Sequence, residues 1–63
     1  MELREKIARE LCEIRFNSVT SSIDVFDNTH ESAIYRELKI EFLETADRLI
    51  VAFPSLNQEN QND

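Results

Sequence analysis

The chain has 63 residues, thirteen acidic side chains against seven basic ones for a formal net charge of −6, and no glycine. A domain of about 60 residues buries only about 60% of the surface its unfolded chain exposes, so this length supports one small domain and leaves no material for an enclosed enzyme pocket. The missing glycines exclude a P-loop, a dinucleotide fingerprint and the tight hairpin turns that need positive φ.

Leu3, Ile7, Leu11 and Ile14 recur at spacings of four, four and three, which predicts a first helix over about residues 2–16 with a single apolar stripe. Glu2 with Lys6 and Glu5 with Arg9 stand in the favourable i, i+4 order, each pair supporting the helix by about 0.2–0.5 kcal/mol. Arg4 and Arg15 border the stripe, where their alkyl stems can cover the seam while the guanidinium groups reach acidic partners. This charged opening, with no apolar run approaching 18 residues anywhere, predicts neither a leader nor a membrane span. Cys12 is alone and has no partner for an internal disulfide, which points to a reducing cytoplasm.

Residues 17–28 hold Ser, Thr, Asn and Asp side chains that compete for backbone hydrogen bonds, together with β-branched residues, but no helical stripe. They predict an ordered connecting loop that lays Ile23, Val25 or Phe26 onto the helices and needs no left-handed turn. A second helix is expected over about residues 29–53. Asn28 and Glu31 stand at the spacing of a capping box, and Pro54 supplies the stop. Tyr35, Leu38, Phe42, Ala46, Leu49 and Phe53 share one face of that helix, while Ile40 and Val51 project almost opposite Phe42. Residues 54–63 are rich in amides and predict a flexible tail.

Two helices joined in this way predict an all-α fold with a single domain over residues 1–53, a two-helix antiparallel hairpin. In it Arg4 would approach Asp47 and Arg15 would approach Glu31. The wide stripe of the second helix, with Ile40 and Val51 outside it, predicts a self-associating chain, a homodimer or small bundle, or else a docking face for a different protein.

No residue takes a catalytic, cofactor-binding or metal-ligating role. His30 has no second ligand near it in sequence, and Cys12 reads as a small semi-buried hydrophobe whose one conceivable base is His30. Glu37, Glu41 and Glu44 lie along a solvated helix face. Direct nucleic-acid binding is disfavoured, because no face collects cations and the connector is far longer than a helix-turn-helix turn. An acidic DNA mimic fits poorly too, since the first helix is net neutral and the remaining charge is spread evenly.

The run Arg4-Glu5-Lys6-Ile7-Ala8-Arg9-Glu10-Leu11-Cys12-Glu13, with Glu44-Thr45-Ala46-Asp47-Arg48-Leu49-Ile50 later, resembles small accessory proteins of temperate lambda-like phages, the open reading frame products of the exo–xis region. The two segments cover about 17 residues, and neither carries a catalytic motif. The resemblance implies an early, non-enzymatic phage protein in the bacterial host cytoplasm, without a cofactor. It would contact a host or phage protein and modulate the host cell cycle, replication or the lytic–lysogenic decision. From the residues alone, the expected partner contacts are Phe26, Tyr35, Arg36, Ile40 and Val51; the alternative is a DNA-associated transcriptional regulator or a modulator of one.

Overall fold

The computed structural model describes residues 2–57, and every regular element among them is helical, with no strand. Helix α1 spans Leu3–Phe16. Lys6 N donates to the Glu2 carbonyl at 3.0 Å to open the ladder, and Glu5 places negative charge in the first turn. At the other end Asn17 takes φ 52°, ψ 44°, the left-handed region. Ser18 N then reaches the Glu13 carbonyl at 3.1 Å and Asn17 N the Ile14 carbonyl at 3.3 Å, the paired bonds of a Schellman stop. The connector therefore does contain a left-handed turn, with asparagine standing where glycine is commonest.

The connector is also not a loop. Ser18 and Thr20 make a hydroxyl turn, with Thr20 N donating to Ser18 Oγ at 3.3 Å, and residues 21–27 then coil into a short helix that ends as a π-turn over Ile23–Asp27. Its wider closure is explicit: Asn28 N reaches back five residues to the Ile23 carbonyl at 3.1 Å. The coil buries Val25 and Phe26 and leaves Ile23 half exposed. Side chains that compete for backbone groups here serve the helix, because they tie it to its neighbours. Ser21 Oγ donates to the carbonyl of Ser18 at 2.8 Å or of Cys12 at 3.2 Å, and Ser22 Oγ donates to Glu13 Oε2 at 2.7 Å. A single 3-10 turn, Thr29–Glu31, follows, with Thr29 Oγ1 donating to the Val25 and Phe26 carbonyls.

Helix α2 spans Ala33–Ala52 and starts later than residue 29, because the cap is Ser32 and not Asn28. Ser32 Oγ accepts from Ile34 N at 3.1 Å and Tyr35 N at 3.4 Å, satisfying two of the first-turn donors. The helix stops before Pro54 as its sequence requires, and Leu56 N and Asn57 N then close a further turn onto Phe53 and Pro54. Of the tail expected over 54–63, residues 58–63 lie outside the described residues.

The core is made of Ala8, Cys12, Val25, Phe26 and Ala46, with Ile7, Tyr35, Leu38, Phe42 and Leu43 packed against it. Ala8, Cys12 and Ala46 are completely buried, so α1 and α2 meet through small side chains that admit a close approach. At 100° per residue, Ala8 and Cys12 point roughly 120° away from the mean direction of Leu3, Ile7, Leu11 and Ile14. The most apolar stripe of α1 is thus turned aside: Leu3, Ile7 and Leu11 are only half buried, and Ile14 is 73% exposed. Arg4 Nε lies 2.8 Å from Asp47 Oδ1, joining the start of α1 to the last third of α2. That approach is ionic and not aligned along the N–H bond, which leaves the shielded Nε–H without an acceptor. Arg15 does not reach Glu31; its guanidinium lies over the Phe16 ring, 6.0 Å from the centroid.

Candidate functional site

The five residues expected to contact a partner fall into two groups. Phe26 is a core residue, 6% exposed, with the Arg9 guanidinium 5.2 Å from its ring centroid and Lys39 Nζ 6.0 Å from it. It therefore supplies packing and not an outer contact. Tyr35 is half buried against the same core. Arg36, Ile40 and Val51 are exposed on α2, where Ile40 and Val51 point within about 20° of one another and sit about 16 Å apart along the axis. Glu44 and Asp47 project between them, so the two apolar residues form a broken line and not a continuous patch.

Sequence reasoning missed the polar arrangement over Phe26. Arg9 Nη2 lies 2.6 Å from Asp27 Oδ1 and Nη1 3.2 Å from Oδ2, a bidentate pairing across the junction of α1 and the π-turn, while its Nε holds Glu5 at 3.1 Å. The hydrogen bond to Asp27 raises the Arg9 pKa, and the same bond holds the Asp27 carboxyl below the usual carboxylate range. Only the Glu5–Arg9 spacing was visible in the sequence, since the Asp27 partner is eighteen residues away. Arg9 is shared between two carboxylates and the ring beneath is covered, so the arrangement fastens the connector to α1.

The residues with possible chemistry are kept apart. Cys12 is buried behind Ser21 Oγ, 3.6 Å from its sulfur, and burial pushes its thiol pKa up, the reverse of what a nucleophile needs. His30 stands in solvent, 3.9 Å from Glu31. Glu41 and Glu44 border a shallow depression of about 470 Å³ with Thr45, Asp47 and Arg48, all on the surface of one helix. Among the described residues no group of three His, Cys, Asp or Glu side chains is placed to hold a metal ion.

Two grooves flank the C-terminal turn of α1, one apolar and one mixed. One, about 330 Å³, runs between that turn, the π-turn and the start of α2, with Phe16, Val25, Ile34, Tyr35 and Leu38 as its apolar lining and Asp24 at its edge. The other, about 300 Å³, includes Glu10, Glu13, Ile14 and Val19. Phe16 also meets Phe42 edge to face, with centroids 6.3 Å apart. Phe16 was not singled out in the sequence, because it projects opposite the stripe that periodicity picks out on α1.

No protein-family model, curated protein or solved structure matches the chain. Among the described residues no helix is long and apolar enough to cross a membrane.

Proposed function

We propose that the chain is a non-catalytic protein-binding module in which α1 and α2 pair as an antiparallel hairpin and present their outer apolar residues to another polypeptide. The observation that carries this reading is the small core: Phe26 is the one large side chain buried among Ala8, Cys12, Val25 and Ala46, whereas Ile14, Val19, Ile34 and Val51 are between 67% and 80% exposed. Isolated exposed apolar residues are ordinary, but in so short a chain they outweigh the core, and a partner that covers them supplies the burial the fold lacks. The outer face of α2, with Ile40, Val51 and Arg36, is the first candidate contact, and Tyr35 borders it from the core side.

Self-association is a second reading, favoured by the half-covered stripe of Leu3, Ile7, Leu11 and Ile14. That stripe lies on a helix with four acidic and four basic side chains over residues 2–16, so two copies can meet there without net repulsion. The resemblance to accessory proteins of lambda-like phages extends the proposal to a host or phage protein in the bacterial cytoplasm, engaged to modulate the host cell cycle, replication or the lytic–lysogenic decision.

The test compares the wild-type chain with Ile40→Glu/Val51→Glu and with Ile14→Glu, first by tagged capture and then by calorimetry with the purified captured protein. The double variant is expected to keep its helical circular-dichroism signal and lose the partner, and Ile14→Glu to lower the mass seen in sedimentation. Equal binding by the double variant would remove the α2 face, and a wild-type chain that binds nothing and sediments as a monomer would end the reading altogether.

A further inference from the structure

Helix α1 is covered on one side only. Its Ala8 and Cys12 side packs into the core, and the connector holds Arg9 through Asp27 and Glu13 through Ser22. The open side keeps Ile7 and Leu11 half buried and leaves Ile14 73% exposed. At 100° per residue, Glu10 and Arg15 project about 70° to either side of the mean direction of those three residues, so the open stripe has one acidic edge and one basic edge. On the acidic edge, Glu10 and Glu13 line the groove of about 300 Å³ together with Ile14 and Val19. On the basic edge, Arg15 is exposed, rests over its own Phe16 ring at 6.0 Å and makes no ion pair among the described residues.

We infer that two copies of the chain pair through this stripe with their α1 helices parallel, Arg15 of each copy reaching across to Glu10 of the other. The inference rests on the self-association reading and adds the sense, the register and the ion pairs of the contact. Parallel helices packed on a common stripe bring a residue on one edge beside the residue five positions further along on the opposite edge of the neighbour. Glu10 and Arg15 stand at that separation, and the two-fold axis makes the pair twice. The mixed groove has the chemistry of the same side chain, with apolar walls for an arginine stem and carboxylates for its guanidinium. Antiparallel pairing centred on Leu11 would instead set Glu10 against Glu10 of the other copy and leave both Arg15 side chains on the far edge. Charge also singles out α1 as the place where two copies can meet. Residues 2–16 are net neutral, whereas residues 17–57 carry seven acidic side chains against three basic ones. The core-facing side of α1 points more than about 100° away from the stripe, so α2 of each copy stands clear of the seam. A seam along one helix of 14 residues is small, and the dimer it gives is a reversible one.

The experiment is sedimentation equilibrium of the full-length chain at concentrations up to millimolar, with circular dichroism to confirm that each variant stays helical. The wild-type chain is expected to exchange between one and two copies. Glu10→Arg and Arg15→Glu, both at exposed positions, should each weaken association by about tenfold, because each turns two attractive pairs into two repulsive ones. The double variant Glu10→Arg/Arg15→Glu, and an equimolar mixture of the two single variants, should both recover wild-type association. Failure of both to recover would overturn the inference, as would a mass beyond two chains. So would a mixture of Glu10→Arg with wild type that associates more tightly than wild type alone, since that is the signature of the antiparallel contact. Should Ile14→Glu lower the mass while the two charge variants associate as the wild type does, the parallel register falls and the self-association reading stands. A wild-type chain that stays monomeric at millimolar concentration would remove both.

Discussion

Arg9 on α1 grips both carboxylate oxygens of Asp27 at the end of the π-turn, at 2.6 and 3.2 Å, directly above the face of Phe26. The pairing closes a lid over the one large aromatic ring in the core and fixes the connector to the first helix. Since the connector also packs on α2, the pair adds a polar tie to helices that already meet through Ala8, Cys12 and Ala46.

The Asp27 carboxyl titrates below its ordinary range because Arg9 donates to its charged form, so its contribution to stability is present above the ordinary carboxylate pKa and is lost as pH falls through the lowered value. The stability gap between the wild-type chain and Asp27→Asn should therefore be full at pH 7 and close as the solution is acidified below about pH 4. Urea melts at several pH values read this directly. A gap that stays constant down to the acid limit would show that the carboxylate is not what holds the connector.

The small-residue seam predicts an unusual pattern of mutational sensitivity. Ala8→Leu or Ala46→Leu inserts a branched side chain where nothing is exposed and should cost about 1–3 kcal/mol by overpacking, whereas Ile14→Ala should change stability by no more than about 0.5 kcal/mol. A core built on the Leu3–Ile14 stripe would give the reverse order, and chemical denaturation of the three variants separates the two.

Periodicity revealed that α1 and α2 exist and where α2 ends, and the expected approach of Arg4 to Asp47 is present at 2.8 Å. It misplaced the buried face of α1, because hydrophobic pattern weighs Leu and Ile above Ala and Cys, while close helix approach rewards the smallest side chains. The connector was missed for a related reason. Seven residues are too few to show a stripe, and the Ser and Thr hydroxyls that argue against a helix in isolation are satisfied here by Ser18, Cys12 and Glu13. Of the candidate contacts, Ile40 and Val51 were legible as outward-facing on α2, but the groove between Phe16 and Ile34 exists only once the connector has folded.

Asn17 carries the turn that releases the chain from α1, and its left-handed backbone tests whether asparagine is merely tolerated there. Asn17→Ala should cost about 1 kcal/mol, since a β-carbon without a polar side chain pays the full left-handed penalty. Asn17→Gly should match or slightly exceed wild-type stability. Equal loss in both variants would mean that the asparagine side chain, and not the backbone region, is what the turn requires.

Cys12 reports on the seam itself. Burial raises its thiol pKa, so the folded state keeps the neutral form while the unfolded chain ionises; the stabilisation is complete below the unfolded value and is lost as pH rises past about 8.5. Iodoacetamide should accordingly label the native protein far more slowly than the chain in urea. The wild-type stability should fall above about pH 8.5 more steeply than that of Cys12→Ala, which itself should cost about 1 kcal/mol at neutral pH for the lost sulfur contacts. Because Cys12 sits between Ala8 and the Ser21 hydroxyl of the connector, rapid native labelling would mean that the connector lifts from α1 in solution, and with it the groove that its π-turn completes.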